Sequence, residues 1–413
     1  MQLFLSLLPL IIVVVLLILK QHMLVAGLAG GIVAAIIGHM TPAHAAGIVQ
    51  SSIGTMFSYL APILYAAGAM MVAKSGSFKA LASFAQEKLK DKVAWIAGVF
   101  VLIQALATYM AGMGAGNTMV IAPLVAAAVG AVPEVIAGMA IATAACFTTS
   151  PASTETVLAA EAAARDVAEH SSAMLLFTLL FVILGAALAV VGVMKRGTMI
   201  SDANKTDESG EKYSLVQAIP AIVLVILVIF GGKINGLIHL SIFAPVINVL
   251  VAAILCLVCC KTKVSDLCNN LIDGSRFILT TLFGVGIFLG FINVIAELGT
   301  FENLAALAGK APTALVVPAA ILLAFLIAIP SGAFCAGVLT LVLPTLSLLG
   351  LPSTAMGLVA IAAGFGTQVS PVQINVAALS DGFKVDVMKV IKGNLRYVLC
   401  ALVILIICSF FVH

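Results

Sequence analysis

The sequence predicts an all-α polytopic membrane protein built of two inverted repeats, each with five transmembrane helices, a re-entrant hairpin and one broken helix. Three observations carry this expectation. Of the 413 residues, 63% are apolar and 9% charged, with a mean hydropathy of +1.25; a soluble globule of that composition would leave far too much apolar surface in water. Apolar runs of ~20 residues recur along the chain, each long enough to cross roughly 30 Å of hydrocarbon as a helix. A Ser-Pro pair interrupts such a run twice, at Ser150-Pro151 and Ser370-Pro371, 220 positions apart.

Spans are expected at 3–19, 23–39 and 52–73. The first has no basic leader region or small-residue cleavage site and reads as a retained span. A charged segment from Lys74 to Lys92 follows, amphipathic around Phe78 to Phe84. The run from Val93 to Val129 is long enough for more than one crossing, but Gly112-Met113-Gly114-Ala115-Gly116-Asn117-Thr118 interrupts it. It reads as a re-entrant hairpin with its tip inside the protein, because glycine permits a tight turn and close approach. A broken helix at 135–164, a polar turn from Arg165 to His170 and a span at 172–194 complete the first repeat. That repeat covers 1–200, with scaffold helices in 1–74 and the hairpin and broken helix in 92–165. Residues 195–212 are the one long polar segment and read as a flexible cytoplasmic linker. The second repeat, 213–413, keeps the order: spans 214–231, 235–259 and 276–296 (scaffold helices, 214–296), a hairpin from about 314 to 349, a broken helix 353–382 (hairpin and broken helix, 314–383), and a last span 397–412.

Matching landmarks support duplication. Ser75-Gly76-Ser77-Phe78-Lys79-Ala80-Leu81-Ala82 resembles Leu298-Gly299-Thr300-Phe301-Glu302-Asn303-Leu304-Ala305. Pro123 matches Pro344, Gly138 matches Gly357, Glu161 matches Asp381, and Asp166-Val167 matches Asp386-Val387, at offsets between 219 and 223. An odd number of crossings per half inserts the second half upside down. Charge agrees: with the loops after spans one and three inside, only Arg165, Lys233 and Lys310 of the 20 Lys and Arg lie outside, as the positive-inside rule asks. Both termini then face outward. Asp166 and Asp386 read as caps for the last helix of each half, Glu169 completing a capping box in the first. The eight cysteines are scattered; Cys256, Cys259 and Cys260 have no His or second Cys pair to complete a metal site.

The two interruptions carry the chemistry. A proline removes a backbone donor and stops a continuous helix. Broken backbone at membrane depth is tolerated where protein or water satisfies it, and paired interruptions in two halves point to a binding site. The first hairpin tip is expected to meet the first break, and Ser331 to Gly337 the second. Carbonyls exposed there suit a cation, and helix N-termini suit a carboxylate. The candidate substrate-binding residues are Asn117, Thr118, Thr149, Ser150, Ser153, Glu155, Ser331, Thr367, Gln368, Ser370, Gln373 and Asn375. Those expected to face a coupling ion are Gly116, Asn117, Thr154, Glu155, Gly332 and Asn375. No Lys or Arg is expected at this depth. Glu155 is the one acid close to a break, with neutral Asn375 as its repeat partner; a carboxylate at membrane depth usually faces a cavity, a cation or a proton path. Its plainer role is to cap the half-helix that follows.

The paired hairpins, Gly116-Asn117-Thr118 and the twin Ser-Pro breaks resemble the ion-transporter superfamily of secondary carriers. The first 165 residues look most like the gluconate permease and citrate–metal symporter families. Ser370-Pro371 followed by Asp386-Val387-Met388-Lys389 looks like the DcuC-type C4-dicarboxylate carriers. The resemblance implies a homodimer in a bacterial cytoplasmic membrane, a scaffold made of the first spans of each half, and a transport domain of hairpins and broken helices. It also implies elevator-like movement coupled to H⁺ or Na⁺. The dicarboxylate/sodium relatives carry Ser-Asn-Thr at their hairpin tips, where this chain has Gly116-Asn117-Thr118 and Cys335-Ala336-Gly337. The function expected is secondary active transport of small organic anions, mono- or dicarboxylates. The alternatives are a cation/proton antiporter, or an amino-acid carrier in which Glu155 pairs with an ammonium. No catalytic or metal-binding set, no cofactor beyond the coupling ion, and no nucleic-acid partner is expected. An enzyme would need paired His and Asp, or a Ser with a nearby base, facing water, and such candidates lie far apart in the topology.

Overall fold

The computed structural model describes residues 2–19, 21–58, 60–88, 92–199, 214–240, 242–308, 310, 312–331, 335–371 and 373–412. The linker expected at 195–212 therefore falls largely outside the described residues. The first half contains α1 (Gln2–Ile18), α2 (Met23–Ile37), α3 (Pro42–Ser58), α4 (Leu60–Lys74), α5 (Ser77–Lys88), α6 (Val93–Ala111), α7 (Ala115–Val129), α8 (Pro133–Thr149), α9 (Thr154–Ala162) and α10 (Val167–Arg196). A 3₁₀ turn at Leu215–Ala218 leads into the second half. There follow α11 (Ile219–Ile238), α12 (Pro245–Cys259), α13 (Val264–Ala296), α14 (Thr300–Ala308), α15 (Thr313–Ser331), α16 (Cys335–Leu348), α17 (Ser353–Thr367), α18 (Ile374–Phe383) and α19 (Val387–Ser409).

The element bounds recur along the chain. Adding 220 to the first residues of α6 through α10 (93, 115, 133, 154, 167) gives those of α15 through α19 (313, 335, 353, 374, 387). Adding 222 to the 42–74 covered by α3 and α4 gives the 264–296 of α13. Asp166 and Asp386 cap α10 and α19, accepting from Ala168 N at 2.8 Å and Met388 N at 2.9 Å. Glu169 turns to Arg165 (3.6 Å).

Three sequence expectations need correction. The span placed at 52–73 starts earlier, at Pro42, and is described as α3 and α4 on either side of residue 59, which lies outside the described residues. The span placed at 276–296 begins at Val264, because its first turns carry Asp266, Asp273 and Arg276, which hydropathy assigns to a loop; Asp273 holds Lys74 at 2.9 Å. The helix predicted to end at 231 runs to Ile238, where His239 turns left-handed (φ 53°), and the next starts at Pro245 rather than 235. Asn235 closes that turn, accepting from Phe243 N at 2.9 Å.

Among the described residues, α6, α10 and α19 are each long and apolar enough to cross a membrane. Two bent pairs pass the same test together: α8 with α9, at 51°, and Leu282–Ala296 of α13 with α14, at 74°. The other predicted crossings fall on shorter apolar helices such as α2, α12 and α17, below the ~20 residues of a straight crossing.

The helices pack in two groups. In one, α13 lies along α2, α3 and α4, with α1, α11 and α12 around them. In the other, α8 packs on α6, α10, α17 and α19, and α17 packs on α15 and α9. The centre of the second group is α8 and α17: every residue of α8 after Pro133, and of α17 from Ala355, is buried. Their Ala, Gly and Thr content permits this, since small residues let helix backbones approach where Leu would hold them apart. α10 and α19 instead expose Leu176, Ile183, Val403 and Ile407, a face suited to lipid. At the α8–α10 crossing a Cβ on Gly138 would strike the carbonyl of Gly185, and one on Gly185 would reach the Gly138 carbonyl at 2.5 Å. Because both obstacles are backbone, Gly138→Val is expected to lower stability by about 1–3 kcal/mol, the usual cost of overpacking. Melting of the purified protein in detergent checks this.

Candidate functional site

At the first break, Ser150 precedes a proline and is extended (φ −69°, ψ 137°), as steric conflict with the proline ring requires. The backbone groups this frees find partners. Ser150 Oγ donates to Tyr109 O at 2.5 Å and accepts from Ala152 N at 3.0 Å. Ser171 Oγ donates to Thr149 O at 2.7 Å and shares a 2.8 Å hydrogen bond with the Tyr109 hydroxyl. Thr149 Oγ1 returns to Ala145 O (2.7 Å) and meets Thr178. Ser153 caps α9, accepting from Thr156 N at 3.1 Å. The first hairpin tip rests against this break. Gly112 is left-handed (φ +66°), and a Cβ there would run into the Ala152 carbonyl and come within 2.7 Å of Ser153 N. Asn117 sews the tip together, its Nδ2 donating to Ala107 O at 2.9 Å and Met113 O at 3.4 Å.

The second half-helices pair crosswise, which the sequence expectation did not include. α18 packs on α7 of the first hairpin, and α9 on α16 of the second. At the α7–α18 junction Thr118 Oγ1 donates to Asn375 Oδ1 (2.6 Å), and Gln104 Nε2 donates to Thr118 Oγ1 (2.5 Å). Asn375 Nδ2 donates to Gln368 Oε1 (2.7 Å), and Gln368 Nε2 reaches Thr367 Oγ1 (3.2 Å). Asn394 Nδ2 takes the Gln368 carbonyl at 3.2 Å. Six candidate or adjoining polar side chains thus join in one network across both halves.

At the α9–α16 junction the residue matching Asn375 is an acid. Glu155 lies in the first turn of α9, which packs on α16, the helix that opens with Cys335 and Ala336. Thr154 is 2% exposed and its hydroxyl has no partner. Of the remaining candidates, Ser370 is buried, Gln373 half-buried, and Gly116 lies in the first turn of α7. Ser331 ends α15; Gly332 lies outside the described residues. The expected contact between the second tip and the second break is described only on the helix side, where Gly366 abuts the Phe325 carbonyl and the Ala328 methyl group.

A cavity of about 790 Å³ opens beside the first break, lined by Tyr65, Leu227 and Phe243 of one helix group and Tyr109, Pro151 and Ser171 of the other. Arg165 stands on its wall with Asp166 and Glu169. Sequence reasoning missed Gln104, Tyr109, Ser171 and Asn394. The only signal for Gln104 and Asn394 was a lone amide within or beside an apolar run, and Tyr109 and Ser171 gave none. Among the described residues, no three His, Cys, Asp or Glu side chains converge on a point where a metal ion would sit.

These features define a multi-pass α-helical membrane protein with two broken helices and two hairpins packed crosswise on them. The chain is similar to the Alcanivorax borkumensis YdaH transporter, whose crystal structure is described as having an unusual topology. The TM-score is 0.54 with 17% identity, over 88% of this chain and 87% of that one. At that identity the likeness is one of fold. No family model matches the chain, and no curated protein does.

Proposed function

We propose that the chain is a secondary active transporter of small organic anions, mono- or dicarboxylates, coupled to H⁺ or Na⁺ and working by elevator-like alternating access. One observation carries the reading: the first turns of α18 and α7 meet where Thr118 bonds Asn375, and α9, with Glu155 in its first turn, packs on α16. Helix N-termini offer unpaired N–H groups and the positive end of the helix dipole, which bind carboxylates without a basic side chain. Among the described residues, no Lys or Arg pairs with Glu155 or Asn375. The two helix groups suit a scaffold (α1–α5, α11–α14) and a moving transport unit (α6–α10, α15–α19), and the recurring bounds suit two inverted repeats. The solved counterpart is itself a transporter. A homodimer in a bacterial cytoplasmic membrane, with both termini outside, belongs to the same proposal.

The test is thermal stabilisation of the purified protein by gluconate, citrate, succinate and a set of amino acids, each with and without Na⁺ at two pH values. A ligand at a hundred times its Kd adds about 2.7 kcal/mol to the folded state, so a carboxylate is expected to raise the melting temperature. Stabilisation by Na⁺ with every organic ligand inert favours the cation/proton antiporter. Stabilisation by amino acids with plain carboxylates inert favours an amino-acid carrier using Glu155.

A further inference from the structure

We propose that the cavity beside the first break is the vestibule through which a carboxylate substrate reaches that break, and that Arg165, held meanwhile by Glu169, is the side chain that captures it. The proposal rests on the anion-carrier reading and adds to it an entry route and a selecting residue. The cavity, about 790 Å³, lies between the two helix groups, with Tyr65 of α4 and Leu227 of α11 on one wall and Tyr109 of α6 and Ser171 of α10 on the other. Its lining grades from exposed to buried. Arg165, Asp166 and Glu169 are exposed and form the mouth; Tyr109 and Ser171 are buried, and Pro151 belongs to the break itself.

The inner wall is tied to the break by hydrogen bonds. Ser171 Oγ gives its proton to the Thr149 carbonyl, so the Tyr109 hydroxyl is the donor in the 2.8 Å bond between them. The Tyr109 carbonyl in turn accepts from Ser150 Oγ. A ligand touching the Tyr109 hydroxyl is therefore two hydrogen bonds from the backbone that Pro151 interrupts. On the other wall the Tyr65 hydroxyl accepts from Asn248 Nδ2 at 3.0 Å, and among the described residues no acceptor meets its own O–H. Tyr65 is 6% exposed. A buried donor left without an acceptor is unfavourable, and an anionic oxygen in the cavity satisfies it.

Three charged side chains stand at the mouth, and one is a cation. Asp166 is committed to α10, accepting from Ala168 N at 2.8 Å and Glu169 N at 3.4 Å. Glu169 lies 3.6 Å from Arg165, with their side chains 65% and 61% exposed. An ion pair that open to water is weak. A substrate carboxylate meeting the guanidinium with both oxygens replaces it. Glu169 is thus a competing anion tethered beside the capture group. Leu175, Val228 and Pro245 make the rest of the lining largely apolar, and low-dielectric walls focus the field of a single charge. In the topology that the loop charges favour, this mouth opens on the outer face.

The test measures initial uptake of labelled succinate and gluconate by cells expressing the chain, over that of cells without it. Arg165→Gln is expected to raise KM about tenfold, the low end of what focused charge does to an encounter rate, with the loss falling on KM rather than kcat. Glu169→Gln is expected to lower KM about two- to fivefold by removing the competitor. Tyr65→Phe keeps the ring, loses the donor and is expected to raise KM. The opposite signs of the two charge variants separate capture from architecture, because breaking a merely structural ion pair harms both variants alike. A KM unchanged in Arg165→Gln, or raised in Glu169→Gln, overturns the proposal, while wild-type uptake of either carboxylate keeps the carrier reading intact. If Arg165→Gln does not fold, Glu169→Gln decides: a lower KM supports the proposal and an unchanged one overturns it. If wild-type cells take up neither carboxylate, the anion-carrier reading fails and the proposal falls with it.

Discussion

Replacing Gly112 by valine is expected to lower stability by about 3 kcal/mol or more and to abolish stabilisation by any ligand of the site. Two effects add. A left-handed φ costs an L-residue roughly 1–2 kcal/mol, and Gly112 sits at +66° where α6 ends. The new Cβ would also collide with the Ala152 carbonyl and approach Ser153 N to 2.7 Å. These are backbone atoms at the break, so neither can swing aside as a side chain would. The tip must withdraw, and with it the Tyr109 carbonyl that Ser150 Oγ holds at 2.5 Å. Gly350→Ala is the control: φ is +66° there, but nothing lies within 4 Å of the added Cβ, so only the backbone cost remains. Melting curves of both variants separate the two effects. Equal, small losses would mean that the tip does not rest on the break.

The positions of the breaks were legible because their physics is local. A proline inside an apolar run stops a helix whatever surrounds it: α8 ends at Thr149 and α9 begins at Thr154 around the first Ser-Pro pair, and α17 ends at Thr367 and α18 begins at Ile374 around the second. The glycine-rich tip was legible for the same reason, since Gly112 supplies a backbone angle that few other residues accept. The first group of helices was harder. Lys74 with Asp273 and the acidic start of α13 are polar, so hydropathy cut the helix short at 276 when an ion pair in fact carries it back to Val264. The crosswise pairing of α7 with α18 and α9 with α16 was not legible, because the order of elements does not say which hairpin covers which half-helix. For that reason Asn117 and Thr118 read as ligand-binding groups. In the structure Asn117 fastens its own hairpin and Thr118 bonds Asn375 across the halves, while the Thr154 hydroxyl keeps capacity to bond something else.

Glu134→Ala is expected to cost about 2 kcal/mol, although Glu134 lies at the far end of α8 from the break. Its carboxylate is the joint of three helices. Arg196, in the last turn of α10, donates Nε to both its oxygens at 2.9 and 2.8 Å. From α19, Arg396 Nη2 reaches Oε1 at 3.3 Å and the Tyr397 hydroxyl reaches it at 2.5 Å. Arg396 also bonds that hydroxyl and stacks over the tyrosine ring, 4.3 Å from its centre. The helix dipoles favour the arrangement, with an acid in the first turn of α8 and a base in the last turn of α10. Removing the carboxylate leaves two guanidinium groups drawn to one place with no anion between them. The magnitude stays below that of a fully buried ion pair because the Arg196 and Arg396 side chains are 44% and 58% exposed, and water takes up part of the loss. Tyr397→Phe, which removes one hydrogen bond and keeps the stack, is expected to cost about 1 kcal/mol. A double-mutant cycle of Glu134→Ala with Arg196→Leu, read by melting, isolates the pair and should return a favourable coupling. If the proposed elevator movement is right, α8, α10 and α19 travel together, and a joint that fastens all three at one end keeps the site geometry fixed during the movement. Glu134→Ala should then lower the transport rate more than it weakens ligand binding at equilibrium. An equal loss in both would make the joint a matter of stability alone.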